Sequence, residues 1–312
     1  MKKAKKIIAY VTLGLGICIL TLISLGHTNL GNLPTTENSE NNFVTVRNEK
    51  IRILQKGNGK DVLFIHGSPG LIEDWNSIFD SLAQNYRVTA FDRPGHGYSS
   101  SNEYTYHIQD NALIVEELIT KLKLKDPLIV GHSYGGSTIA YMVTNGGLKN
   151  LKYIIIDSPL YRSRSALIYK LVSTPLIGKG IAVLSSYTIA KGKIKDGVTP
   201  IFKSINKEKI DELVKERQKI WSQPKVIYSK SKETVNYQSD LDLMSDKYKN
   251  ITSDITIISG TDSLSTLRKD CEKFHTEVKN SKLILLDQTG HYIQFDKAEE
   301  VLAIIRGKIE SN

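Results

Sequence analysis

The chain has 312 residues, 40% hydrophobic and 24% charged, with 42 Lys+Arg against 33 Asp+Glu and a net charge of +9. That length is enough to bury a large core, and the ordinary composition excludes a disordered, collagen-like or low-complexity protein. Of two cysteines, Cys18 falls in an apolar N-terminal run, which leaves Cys271 without an internal disulfide partner; no Cys pair and no two histidines stand at metal-ligand spacing, so neither metal nor cofactor is expected.

Lys2, Lys3, Lys5 and Lys6 precede residues 7–26, a run of twenty residues without a charge. As a helix it is about 30 Å long, the thickness of a bilayer core. Lysines on its N-terminal side hold that end in the cytoplasm and send the rest across. Cleaved signal peptides have a shorter apolar region, about 7–15 residues. Residues 1–26 therefore read as an uncleaved transmembrane signal anchor, with cleavage near Ser24-Leu25-Gly26 and secretion as the alternative. Residues 27–42 are polar and aperiodic and read as a flexible tether. The chain beyond the tether is expected on the extracytoplasmic side of a single-pass membrane protein, where nucleic acid is not an expected partner.

Residues 43–46 and 51–54 read as a hairpin about Asn48-Glu49-Lys50. Residues 62–65 are a short buried strand running into His66-Gly67-Ser68-Pro69-Gly70. Trp75, Ile78, Phe79 and Leu82 have helical spacing up to residue 86, with Asp74 as N-cap. Residues 87–91 form the next strand, closed by Asp92-Arg93-Pro94-Gly95-His96-Gly97. Residues 108–124 are an amphipathic helix, and the apolar run 127–130 leads without a gap into Gly131-His132-Ser133-Tyr134-Gly135-Gly136 and a second helix. After a strand at 151–156 and Asp157-Ser158-Pro159, the alternation stops. Residues 160–250 carry helical patterns alone, such as Ile210, Leu213, Val214, Arg217 and Trp221 on one face, broken near Pro224. Strand 255–259, a helix near 264–274, strand 283–286 and a helix from 292 to about 309 complete the chain. Such alternation predicts an α/β fold, a mostly parallel sheet with helices on both faces and ligands at the strands' carboxyl ends. Residues 43–159 and 251–312 are its core, and 160–250 a helical insertion over those ends, the position of a lid.

The strand–turn–helix about Ser133 has the Gly-x-Ser-x-Gly pattern of a nucleophile elbow. Its glycines admit a turn tight enough to strain the serine backbone and stand the hydroxyl clear, at a helix N-terminus whose free N–H groups favour negative charge. A serine hydroxyl needs a base, and the base a carboxylate to orient it. His291, in Gln288-Thr289-Gly290-His291, opens the last helix after a strand. Asp262, in Ser259-Gly260-Thr261-Asp262, follows the strand before that one. The order Ser, Asp, His is the one α/β-hydrolases use.

Four motifs in order and context carry a resemblance over residues 43–309: His66-Gly67-Ser68-Pro69-Gly70, Asp92 to Gly97, Gly131 to Gly135, and Gly290-His291. The chain resembles the α/β-hydrolase superfamily, specifically its lidded serine hydrolases with a His-Gly-x-Pro loop. The resemblance implies an eight-stranded-type sheet with a helical lid, Ser133 as nucleophile, His291 as base, and the backbone N–H groups of Ser68 and Tyr134 as oxyanion hole. It implies Asp262 as the acid, one residue early for the family's spacing, which falls on Ser263; Asp157, after the strand that precedes the insertion, is the alternative. His66, His96 and His132 read as strand-end residues making backbone hydrogen bonds. A serine nucleophile points away from epoxide hydrolases and dehalogenases, which use Asp in this place.

The insertion holds 18 Lys+Arg and 9 Asp+Glu, as much net positive charge as the whole chain. Such a surface is either solvated or drawn to anionic lipid or wall polymer. The functional expectation is a membrane-tethered serine hydrolase that cleaves an ester or related acyl bond of a small-molecule or lipid-like substrate. A proline-iminopeptidase-like aminopeptidase is a second possibility and would need lid carboxylates such as Glu208, Asp211, Glu212 or Glu216 to hold an amine. A non-catalytic ligand receptor or signalling protein on the same fold is the third.

Overall fold

A computed structural model describes residues 2–29, 42–102, 104–148, 151–163 and 165–311. Eight strands, β1 (Asn42–Val46), β2 (Glu49–Lys56), β3 (Asp61–Ile65), β4 (Arg87–Phe91), β5 (Leu128–His132), β6 (Lys152–Ile156), β7 (Asp254–Gly260) and β8 (Ser281–Leu286), form one sheet in the order β1-β2-β4-β3-β5-β6-β7-β8. β1 and β2 are antiparallel to their neighbours, and every pair from β4 to β8 is parallel. The mostly parallel sheet expected from the alternation is present.

Period-2 side-chain alternation divides the apolar strands between two cores. Leu63, Ile65, Ile129, Tyr153, Ile155 and Ile257 face one side. There they meet α3 (Ile108–Lys121), α4 (Tyr134–Thr144) and α10 (Ser265–Glu277) through Val115, Ile139 and Phe274. Val62, Phe64, Val130, Ile154, Ile156 and Ile258 face the other. Their partners are Trp75, Phe79 of α2 (Phe79–Ala83), and Val301 and Ile305 of α12 (Ala298–Glu310). Continuous apolar strands are what a sheet covered on both faces requires.

Between β6 and β7 the described chain makes helices only: α5 (Leu167–Val172), α6 (Gly178–Tyr187), α7 (Ala190–Val198), α8 (Lys207–Trp221) and α9 (Pro224–Ser245), with 3₁₀ turns at Thr199–Ile201 and Tyr248–Asn250. Pro224 breaks the pattern as expected, but as the first residue of α9, where its missing N–H costs nothing. Buried charges bind this insertion to the sheet domain. Arg217 of α8 pairs with Asp74 at 2.6 Å, and the Lys225 ammonium donates to the carbonyls of Gly97 (3.2 Å) and Ser99 (2.6 Å).

Three local expectations need correction. The segment 75–86 is not one helix: a 3₁₀ turn over Ile72–Trp75 precedes the short α2. Asp74 lies inside that turn, fully buried: its Oδ2 accepts from Leu71 N–H at 3.2 Å, closing the turn from its third position rather than as N-cap, and its Oδ1 pairs with Arg217. The last helix is two, α11 (Ile293–Asp296) and α12, separated at Lys297, whose φ of −137° is not helical. The first hairpin turns at Arg47-Asn48, both with positive φ, one residue earlier than read. The N-terminal helix α1 (Lys2–Asn29) is long and apolar enough to cross a membrane, with mean hydropathy 2.3 over its most apolar 18 residues. Of the expected tether, residues 30–41 lie outside the described residues.

Candidate active site

Ser133 stands between the end of β5 and α4 with φ 53° and ψ −121°, a strained conformation for a residue with a Cβ. Its neighbours hold it there: Ser133 N–H donates to Ile156 O at 2.9 Å, and Ser133 O accepts from Gly136 N–H at 2.9 Å. The close approach needs glycine, because a Cβ at Gly131 would strike the Gly135 carbonyl and one at Gly135 the Ile65 carbonyl. Ser133 and His291 line one cavity of about 440 Å³, together with Ser68, Tyr134 and residues of the insertion.

His291 sits in the loop after β8. Its Nδ1 lies 2.6 Å from Asp157 Oδ2, and the two side chains are 13% and 0% exposed. Asp157 follows β6 with φ 45°. Its Oδ1 accepts from Ser259 Oγ at 2.6 Å, and Ser263 Oγ donates to Oδ2. The preferred acid of the sequence reading is thus not the histidine's partner. Asp262 is exposed, its backbone N–H bound to Thr289 O at 3.0 Å, and its carboxylate makes no hydrogen bond or ion pair among the described residues. The turn after β7 is one residue short for the family spacing. It therefore puts Ser263 at that position, and Ser263 Oγ bonds the same Asp157 Oδ2 that His291 Nδ1 meets.

The histidine loop is braced from three directions. His132 Nε2 meets His291 O at 2.9 Å, and since burial pulls the His132 pKa well down, its ring is neutral and donates there. His291 N–H donates to Ile201 O at 3.0 Å. Asp296 accepts from Gly290 N–H at 2.8 Å and from the N–H groups of Lys203 and Ser204 at 2.9–3.1 Å, tying the insertion to the same loop.

The loop carrying Ser68 is organised by Arg93, which is fully buried with all five donors engaged. Nε donates to His66 O (3.1 Å), Nη2 to Gly67 O (2.9 Å), Nη1 to Asn111 Oδ1 (3.0 Å), and both Nη to the Glu233 carboxylate (2.6 and 3.1 Å). In a trans planar peptide C=O and N–H point opposite ways. Fixing Gly67 O on Arg93 therefore aims Ser68 N–H away from it. Gly67 itself passes so near Ser133 that a Cβ there would come within 3.0 Å of the serine Cβ.

Glu233, on α9, is the residue the sequence did not single out. Besides Arg93 it takes hydrogen bonds from Ser68 Oγ (2.5 Å) and Tyr104 Oη (2.5 Å), and lies 3.0 Å from His96 Nε2. His66 bonds backbone as read, through Gly67 O and Arg93 N–H. His96 does not: it meets this carboxylate. Burial alone would raise the Glu233 pKa, but Arg93 and then His96 outweigh it and hold the carboxylate well below its ordinary range. Burial lowers the His96 pKa, so at neutral pH that ring donates without charge and Arg93 supplies the countercharge. Removing Glu233 leaves the Arg93 charge buried and unpaired, and Glu233→Ala is expected to lower the unfolding free energy by about 3–5 kcal/mol, read from urea denaturation. A depressed carboxylate pKa contributes stability above the unfolded value and loses it as pH falls through the folded one. The wild type should therefore shed this contribution only in acid, and Glu233→Gln should show a flatter acid limb.

The profile of the Alpha/beta hydrolase family matches residues 62–304. The chain belongs to that family. A non-heme haloperoxidase of Rhodococcus erythropolis is 35% identical over 104 residues, 33% of this chain and 38% of that one. The acetyltransferase component of the acetoin cleaving system of Cupriavidus necator is 33% identical over 147 residues, 47% of this chain and 34% of the other. The chain thus spans little more than a third of the length of these curated relatives. An uncharacterized hydrolase of Bacillus subtilis is 24% identical over 238 residues, 75% of this chain and 84% of that one. Among solved structures, an esterase from Exiguobacterium antarcticum has a TM-score of 0.71 at 20% identity, covering 86% of this chain and 99% of its own. A bromoperoxidase from Bacillus anthracis has a TM-score of 0.71 at 18% identity, covering 87% and 100%. At those identities the likeness is one of fold.

Proposed function

We propose that the protein is a serine hydrolase that cleaves an ester or related acyl bond through an acyl-enzyme. The observation that carries the reading is the strained Ser133 sharing a cavity with His291, whose Nδ1 is held by the buried Asp157. With Nδ1–H donated to Asp157, Nε2 is free to act as base. Ser133 Oγ attacks the acyl carbon as its proton passes to His291 Nε2. Charge on the carbonyl oxygen is met by Ser68 N–H and by Tyr134 N–H in the first turn of α4, where helix donors lack internal partners. His291 returns the proton to the leaving oxygen, and a water activated the same way releases the acid.

The charges around the cavity bear on the substrate. Among the described residues, Arg162, Lys230 and Lys269 line it with a single acid, Asp270, whose Oδ2 already accepts the N–H groups of Leu160 and Tyr161. Glu208, Asp211, Glu212 and Glu216 are not among its lining residues, and Glu233 is neutralised by Arg93. This disfavours an aminopeptidase, which must hold a substrate ammonium. The expected outcome is fluorophosphonate labelling at Ser133 and turnover of p-nitrophenyl acyl esters across a chain-length series, with no turnover of prolyl-naphthylamide. Labelling without turnover of any ester would leave the receptor reading standing instead. We propose further that α1 anchors the protein in a membrane with the catalytic domain outside; its apolar length and the lysines before it support this.

A further inference from the structure

We infer that the α5–α6 hairpin of the insertion is itself embedded in the outer leaflet of a lipid bilayer, docked on the anchor helix. The inference rests on the proposed membrane anchoring of α1. Ten large apolar side chains outside α1 are exposed among the described residues, and seven of them lie between 167 and 189. They are Leu167, Ile168 and Leu171 on α5, Leu176 between the helices, Leu184 and Tyr187 on α6, and Ile189 just after it. Leu167, Leu176 and Tyr187 are 70%, 78% and 80% exposed. So dense an apolar surface on so short a segment marks an interaction site.

The contact between α1 and α6 identifies what covers it. α1 packs on α6 through glycine: a Cβ on Gly180 would strike the Leu22 carbonyl, and one on Gly26 would lie 2.8 Å from Gly180 N. The anchor's side chains from Ile7 to Leu20 are otherwise largely exposed. The charge-free run 7–26 is about 30 Å long as a helix, so it fills the hydrocarbon core, and Leu22 lies about 6 Å inside its outer end. A helix packed on Leu22 therefore sits at that depth. Interfacial helices bury their apolar faces about 5–10 Å deep, and α6 presents Leu184 and Tyr187 where such a face is needed. Residues 160–198 carry seven Lys/Arg and one Asp, of which Lys170, Lys179 and Lys191 are exposed and long enough to reach phosphates while their stems stay in the apolar layer. The bilayer would then lie against α5 and α6, and Tyr169 of α5 lies beside Lys230, a lining residue of the Ser133 cavity, which gives a membrane-dissolved acyl substrate a short path to it.

The test uses the full chain in vesicles of phosphatidylcholine and phosphatidylglycerol, with plain or brominated acyl chains. One further tryptophan at a time is added by Leu176→Trp, Leu184→Trp, Leu15→Trp in the anchor and Leu243→Trp on α9. The native Trp75 and Trp221 are buried and give a constant background. The expected result is loss of emission in brominated lipid at positions 15, 176 and 184 and none at 243, about 22 Å along α9 from Tyr228, which lies beside Lys179 of α6. Loss at 15 alone overturns the inference and leaves the anchor standing. Loss at none of the four removes the anchor and the inference together. Loss at 243 as well means that the domain meets the bilayer by another face, and the inference fails.

Discussion

Replacing Ser133 by alanine is expected to lower kcat by about 10⁴–10⁶-fold and to abolish fluorophosphonate labelling, with no loss of stability. The rate loss would come from removing the proposed nucleophile, and the residual rate from binding and the proposed oxyanion donors. Stability should hold for two reasons. Ser133 Oγ makes no hydrogen bond among the described residues, and alanine meets the same backbone strain at φ 53° that serine already bears. His291→Ala should cost about as much, because the two side chains act as a unit. Equal labelling of wild type and Ser133→Ala, with matching denaturation curves, would place the reactive group elsewhere.

The second large effect is expected at Asp157. Asp157→Asn should lower kcat by up to about 10⁴-fold, whereas Asp262→Asn should stay within a few-fold of wild type. The carboxylate at 157 accepts from His291 Nδ1, Ser259 Oγ and Ser263 Oγ at once. An asparagine offers one acceptor oxygen and an NH₂ donor in that shell. When the NH₂ faces Nδ1, the imidazole is driven to the tautomer with its proton on Nε2, which cannot take the serine proton. Asp262 has no such part to lose, being exposed and without a side-chain partner among the described residues. A crippling Asp262→Asn beside a mild Asp157→Asn would reverse the assignment. Ser263→Ala should fall between the two, since it removes one donor to Asp157 and leaves the carboxylate in place.

Most of the sheet was legible because its signals are local. Runs such as Val62 to Ile65 are apolar on both faces, and that alone marks strands covered on two sides. The elbow was legible because its glycines and serine lie within six residues of one another. The segment 75–86 was misread because Trp75, Ile78, Phe79 and Leu82 have helical spacing, while Asp74 before it is also claimed by an arginine 143 positions away. The break at Lys297 had no sequence signal: neither glycine nor proline stands there, and Asp296 is occupied in capping the Gly290 and Lys203 N–H groups.

By itself the sequence determined the order of strands and helices, the elbow at Ser133, the histidine at 291 and the long apolar helix at the N-terminus, all of them set by residues a few positions apart. Only the tertiary structure decided that His291 bonds Asp157, 134 positions away, and that Glu233 closes on Arg93 across 140. The same holds for the packing of Leu22 and Gly26 on Gly180. The physical reason is that periodicity reports which face a side chain takes on its own element, whereas pairing at strand ends depends on register and turn length. One residue fewer in the turn after β7 turns Asp262 to solvent and brings Ser263 to the acid's side.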